Sequence, residues 1–116
     1  MKKIEIIKKV NEINNSVVSA CGFIVNEDKF KTIIDKFFSE VGSDSDNFRS
    51  VMSYYHGGGR KDDFVSGVNY YMNTIDEDDI TCEQAREDLK VMKKLNKTLE
   101  DNFHISSTIK LFQMYD

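Results

Sequence analysis

A chain of 116 residues, 40% hydrophobic and 31% charged, is long enough to bury one core and has neither a disordered nor a membrane composition. Its net charge of -4 argues against a protein whose main task is coating nucleic acid, which needs an excess of Lys and Arg; a local basic patch is still open to it. The absence of proline favours helices, because loop-rich all-β folds use proline in their turns.

The start Met1-Lys2-Lys3 resembles a secretory n-region, but Glu5, Lys8 and Lys9 leave no uninterrupted apolar run after it, so no export signal is expected. No stretch approaches the ~18 apolar residues of a membrane span. Cys21 and Cys82 are therefore expected as reduced, mostly buried thiols of a cytoplasmic protein. Lys outnumbers Arg, and Ile and Asn are plentiful, as in AT-rich genomes such as those of phages, large DNA viruses and low-GC bacteria.

From the first residues onward, Ile6, Val10, Ile13, Val17 and Cys21 fall within one arc at 100° per residue, which predicts a helix over about Lys3–Ala20. Val17–Val25 is β-rich enough to offer a short strand as the alternative, with Gly22 as a turn. The next helix is the best specified. Phe30, Ile33, Ile34, Phe37, Phe38 and Val41 make one apolar face, Asn26 is its N-cap, Glu27 and Asp28 suit the positive end of its dipole, and Val25 is placed to staple onto Phe30. Gly42 is its expected stop.

Ser43 to Asp46 form a polar loop in which Ser45 can cap a third helix, about Asp46–Tyr55, with Phe48, Val51, Met52 and Tyr55 inward. Gly57, Gly58 and Gly59 then carry too large an entropic cost for a helix or strand interior and are expected as a break between two helical halves. A fourth helix, about Lys61–Thr74, puts Phe64, Val68, Tyr71, Met72 and Ile75 inward. Thr81 and Gln84 form a capping box that starts the longest helix, about Cys82–Asn102, with Ala85, Leu89, Met92, Leu99 and Phe103 on its buried side and Asn96 at the centre of that side. The tail from His104 reads either as a helix capped by Ser106 or Ser107 or as a strand. The expected fold is all-α, one domain over residues 1–116 built as a compact bundle of four to six helices; the alternative is α+β, with a short strand at Val17–Val25 or in the tail.

Several chemistries fail on spacing. An EF-hand counted from Asp76 has Ile80 and Thr81 where a ligand and a glycine are required. The glycine run beside Arg60 and Lys61 lacks the Walker spacing, and Asp62 and Asp63 would repel a phosphate there. His56-Gly57-Gly58-Gly59 has the form of a hydrolase oxyanion run, but no Gly-x-Ser-x-Gly elbow accompanies it. Cys21, His56, Cys82 and His104 do not occur in the close pairs of structural zinc sites, and no base is placed beside Cys82. No cofactor, metal or catalytic residue is therefore expected.

Two surface constellations stand out. Tyr54, His56, Arg60 and Tyr70 surround the glycines, the two tyrosines lie off the apolar faces of their helices, and Tyr and Arg are the residues that most often anchor protein interfaces. Arg86, Lys90, Lys93, Lys94 and Lys97 share an arc of about 100° on the longest helix, a stripe suited to an acidic protein or to phosphates, or simply to solvent. The expected function is a small non-enzymatic protein that docks on another protein, as inhibitors, immunity proteins and viral or phage counter-defence proteins do. A nucleic-acid-associated regulator using the lysine stripe is the alternative. Self-association stays open, and no membrane partner is expected.

Overall fold

The computed structural model describes residues 2–41 and 46–104, and these form an all-α bundle of five helices. They are α1 (Lys3–Cys21), α2 (Glu27–Val41), α3 (Asp46–Gly58), α4 (Lys61–Thr74) and α5 (Cys82–Phe103). The expected Gly42 stop, the Ser45 cap and the tail from residue 105 lie outside the described residues. At Val17–Val25 the helix wins over the strand: α1 runs unbroken through Cys21, and its inward positions Ile6, Val10, Val17, Ala20 and Cys21 all enter the core.

The local signals at the helix starts are realised with one exception. The Asn26 carboxamide accepts from the Lys29 N–H at 3.0 Å, capping α2. Thr81 and Gln84 bond reciprocally, the Gln84 N–H to Thr81 Oγ1 at 3.1 Å and the Thr81 N–H to Gln84 Oε1 at 2.9 Å. The staple on Phe30 does not form, because Val25 is 94% exposed and Ile24 goes into the core instead. The turn explains it: the Ile24 N–H folds back onto the Cys21 carbonyl, which directs Ile24 inward and its neighbour outward.

The glycine run is shorter as a break than its composition implies. Gly57 and Gly58 are the last residues of α3, and only Gly59, at φ 66°, leaves the helix. Gly57 faces open space, whereas a Cβ on Gly58 would collide with the Asp63 carboxylate, which reaches back to accept from the Arg60 N–H at 3.3 Å. Gly59 in turn donates its N–H to the Tyr55 carbonyl. The connection is thus a tight corner of Gly59 and Arg60, and its neighbours tie it down. Lys61 donates to the Ile24 carbonyl at 2.6 Å, and the Tyr55 hydroxyl donates to the Lys31 carbonyl at 3.3 Å.

The corner makes α3 and α4 an antiparallel hairpin in which Phe48 meets Tyr71, Val51 meets Gly67 and Tyr55 meets Phe64. They come into backbone contact at Gly67, where a Cβ would stand 2.8 Å from the Val51 carbonyl oxygen and 3.2 Å from Tyr54 Cβ. Phe64, fully buried, collects the aromatic core: its ring lies 5.5 Å from Phe30, 6.0 Å from Tyr55 and 6.2 Å from Phe38. On the other side α1 packs along α5, and the residues after α1 meet the end of α5, so these two helices run in the same sense. Lys29 holds that end, donating to the Asn102 carbonyl at 2.8 Å with its ammonium 4.9 Å from the Phe103 ring centre.

Two glycines of similar sequence character therefore predict opposite outcomes. Gly67→Ala loses about 1–3 kcal/mol by overpacking against backbone that cannot yield, more than the helix propensity it gains. Gly57→Ala, with no neighbour to meet, gains about 0.5–1 kcal/mol. Urea unfolding of both variants checks the pair.

Candidate functional site

The hairpin places the two off-face tyrosines together. Tyr54 on α3 and Tyr70 on α4 stack on the solvent side of the Gly67 contact, their ring centres 5.3 Å apart and their planes tilted by 41°. The absence of a side chain at Gly67 lets the helices close enough for the rings to meet. Each residue remains nearly half exposed, Tyr54 at 46% and Tyr70 at 44%. With Arg49, Ser50 and Ser53 they line a shallow depression of about 360 Å³. Arg49 is held over α3 by Asp46 at 3.4 Å, and Ser50 returns its hydroxyl to the Asp46 carbonyl, so the polar rim of the depression is ordered by the first turn of α3.

His56 and Arg60 do not join this depression. Two residues along a helix turn about 200°, which carries His56 away from Tyr54, and its imidazole rests edge-on against Tyr55 at 5.5 Å. Arg60 is the exposed extended residue before α4, separated from Tyr70 by most of that helix. The four residues expected around the glycines thus divide into a stacked pair and two separate side chains. Arg49, absent from the constellation expected from sequence, stands five residues before Tyr54, about 140° round the helix, and its long side chain still lines the depression, so no stripe on the helical wheel points to it.

The glycine corner itself offers no anion cradle. The Gly59 N–H is bonded to Tyr55 and the Arg60 N–H to Asp63, so the donors a phosphate would need are occupied, and a carboxylate sits among them. The acidic loop is likewise self-satisfied: Asp76 accepts from the Asp78 N–H at 2.9 Å, and its carbonyl accepts from the N–H groups of Asp79 and Ile80. Among the described residues no group of three or more His, Cys, Asp or Glu side chains is placed to hold a metal ion. Cys21 is fully buried, and desolvation pushes its thiol up to about 12 despite the nearby Lys61 ammonium. Cys82 is half-buried in the first turn of α5.

The polar residues of the core are not the expected one. Asn96 is only half-buried and donates to Glu100 on its own helix at 3.2 Å. Asn14 and Asp88 are the two fully buried polar side chains among the described residues. Asp88 sits within the apolar stripe of α5 between Ala85 and Met92, accepts from the Asn47 amide at 3.2 Å, and faces the Tyr71 phenol. Tyr71 and Asp88 are not aligned as a strict hydrogen bond, yet burial and the adjacent carboxylate both hold the phenol protonated above its ordinary range. Tyr55 is held protonated in the same way by burial and by Asp35.

The five cations of the stripe, Arg86, Lys90, Lys93, Lys94 and Lys97, are all exposed on α5, opposite the side formed by Ala85, Leu89, Met92 and Leu99. No described helix is long and apolar enough to cross a membrane. No family model matches the chain, and neither the curated proteins nor the solved structures include a significant match.

The buried ionisable groups set two expectations. Because the folded state keeps Tyr55 and Tyr71 protonated, their contribution to stability is complete below the ordinary tyrosine value near 10 and is lost as pH rises beyond it. Alkaline absorbance titration should show these two phenols ionising above that value, and Asp88→Asn should move the Tyr71 transition to lower pH. With Cys82 replaced by Ala, the remaining Cys21 should resist thiol alkylation at pH 8 until denaturant unfolds the protein.

Proposed function

We propose that this protein is a non-enzymatic binding module that docks on a partner protein through the Tyr54–Tyr70 face of the α3–α4 hairpin. The observation that carries the reading is the stacked, half-exposed tyrosine pair on two helices locked together at Gly67, beside Arg49. Tyrosine supplies a large contact area with few rotatable bonds, and a pair already stacked loses little further freedom on binding. The serine hydroxyls and Arg49 around the rings give the polar rim that a protein interface uses to exclude water. The same compact scaffold suits a protein that works by occupying a partner's surface, such as a small inhibitor, an immunity protein or a phage counter-defence protein acting in the cytoplasm.

The test is capture of a partner from host lysate by immobilised wild-type protein, repeated with Tyr54→Ala, Tyr70→Ala and Arg49→Ala. A central anchor contributes about 2 kcal/mol or more, so the tyrosine variants should weaken recovery of the specific partner by at least ~30-fold. His56→Ala, away from the depression, should leave recovery unchanged. Equal recovery by wild type and by both tyrosine variants, all shown to be folded by circular dichroism, removes the face from consideration.

A further inference from the structure

The outward side of α5 is opposite in character to the tyrosine face. Lys90, Lys93, Lys94 and Lys97 follow one another at intervals of three, one and three residues, which places four ammonium groups on one stripe about 10 Å long. All four are exposed, and among the described residues none takes part in an ion pair or a side-chain hydrogen bond. Exposed acids of α5 bracket the stripe rather than interrupt it, Glu87 one turn before Lys90 and Asp101 one turn after Lys97; between them Asp88 is buried toward the core, and Glu100 is half-buried and accepts from Asn96. The apolar residues in that interval, Leu89, Val91, Met92, Leu95 and Leu99, all point inward.

We propose that this face binds the phosphate backbone of nucleic acid without reading its sequence. A protein partner needs apolar surface to desolvate at the centre of an interface, and the lysine stripe has none to offer. A bilayer surface holds an amphipathic helix by burying its apolar side, and here that side is the core of the bundle. A phosphate backbone asks only for cations along a line. Duplex DNA presents about six charges over the length of this stripe, and binding draws on the counterions they release. Lysine ammoniums, as point charges on flexible stems, suit such register-free contact, and the absence of an aromatic or amide side chain among them leaves no group to select a base. The chain's net charge of -4 opposes the encounter at long range, so binding should be weak and confined to low ionic strength.

Fluorescence anisotropy with a labelled oligothymidylate and a labelled mixed-sequence duplex, from about 20 to 200 mM salt, tests this. The expected result is micromolar binding at the lowest salt, equal across duplex sequences, with a log–log salt slope of about -3 to -4 for four contacts. Each single Lys→Gln change in the stripe should reduce the slope by about 0.7–0.9, and the quadruple variant should lose binding at every salt concentration. If the quadruple variant does not fold, the paired variants K90Q/K94Q and K93Q/K97Q carry the same comparison. Absence of binding to both oligonucleotides at 20 mM salt overturns the proposal, as does a slope unchanged by the substitutions. It is also overturned if polyglutamate or phosphatidylserine vesicles bind the same lysines more tightly than the oligonucleotides do. Tyr54→Ala should not alter oligonucleotide binding, which separates this surface from the docking face.

Discussion

The backbone contact between α3 and α4 at Gly67 is the constraint on which most of the structure depends. With no side chain between Val51 and α4, the two helices approach to the limit of van der Waals contact. That separation lets Phe48 reach Tyr71 and Tyr55 reach Phe64 on the inner side, and it lets Tyr54 reach Tyr70 on the outer side. A side chain at position 67 would act on both layers at once, because close-packed interiors transmit a displacement rather than absorb it. The core and the surface feature that most resembles a docking site therefore share one geometric cause.

Charged side chains around this hairpin act mainly as ties between elements. Lys61 reaches from the start of α4 to the turn after α1, and Lys29 reaches from the start of α2 to the last carbonyls of α5. Lys29 meets a carbonyl that the end of α5 leaves without a helical partner, a position that the helix dipole also favours, whereas Lys61 meets the Ile24 carbonyl in the turn beyond α1. Asp88 is a different case. It is a carboxylate inside the apolar side of α5, served by Asn47 and facing Tyr71, and it couples α3, α4 and α5 through polar contacts where the rest of their packing is apolar. Removing one member of such a group costs more than the hydrogen bond it made, because the others remain buried.

The exposed surface separates into two kinds. The hairpin presents aromatic rings with a polar rim, a surface that gains free energy when it loses water. The outer side of α5 presents ammonium groups with no apolar area between them, a surface that gains from counterion release and from little else. The physics of the two faces differs enough that occupancy of one does not require the other.

Helix periodicity alone determined the fold class and most of the element bounds. The apolar intervals of α2, the Thr81–Gln84 box and the Asn26 cap are local signals, and each is realised because its partners lie within one turn of each other. Where the pattern of residues misled, a partner outside that pattern decided the outcome. Gly57 and Gly58 stay helical because Asp63 and Tyr55 satisfy the chain around them, and Val25 points outward because the turn onto Cys21 commits Ile24 to the core. Asp88 enters the core because Asn47 and Tyr71 are there to meet it. The off-face position of Tyr54 and Tyr70 was legible from the helical wheel. That the two rings stack on each other, with Arg49 rather than His56 and Arg60 beside them, was decided by a crossing of helices set at Gly67, and no pattern within either helix encodes that crossing.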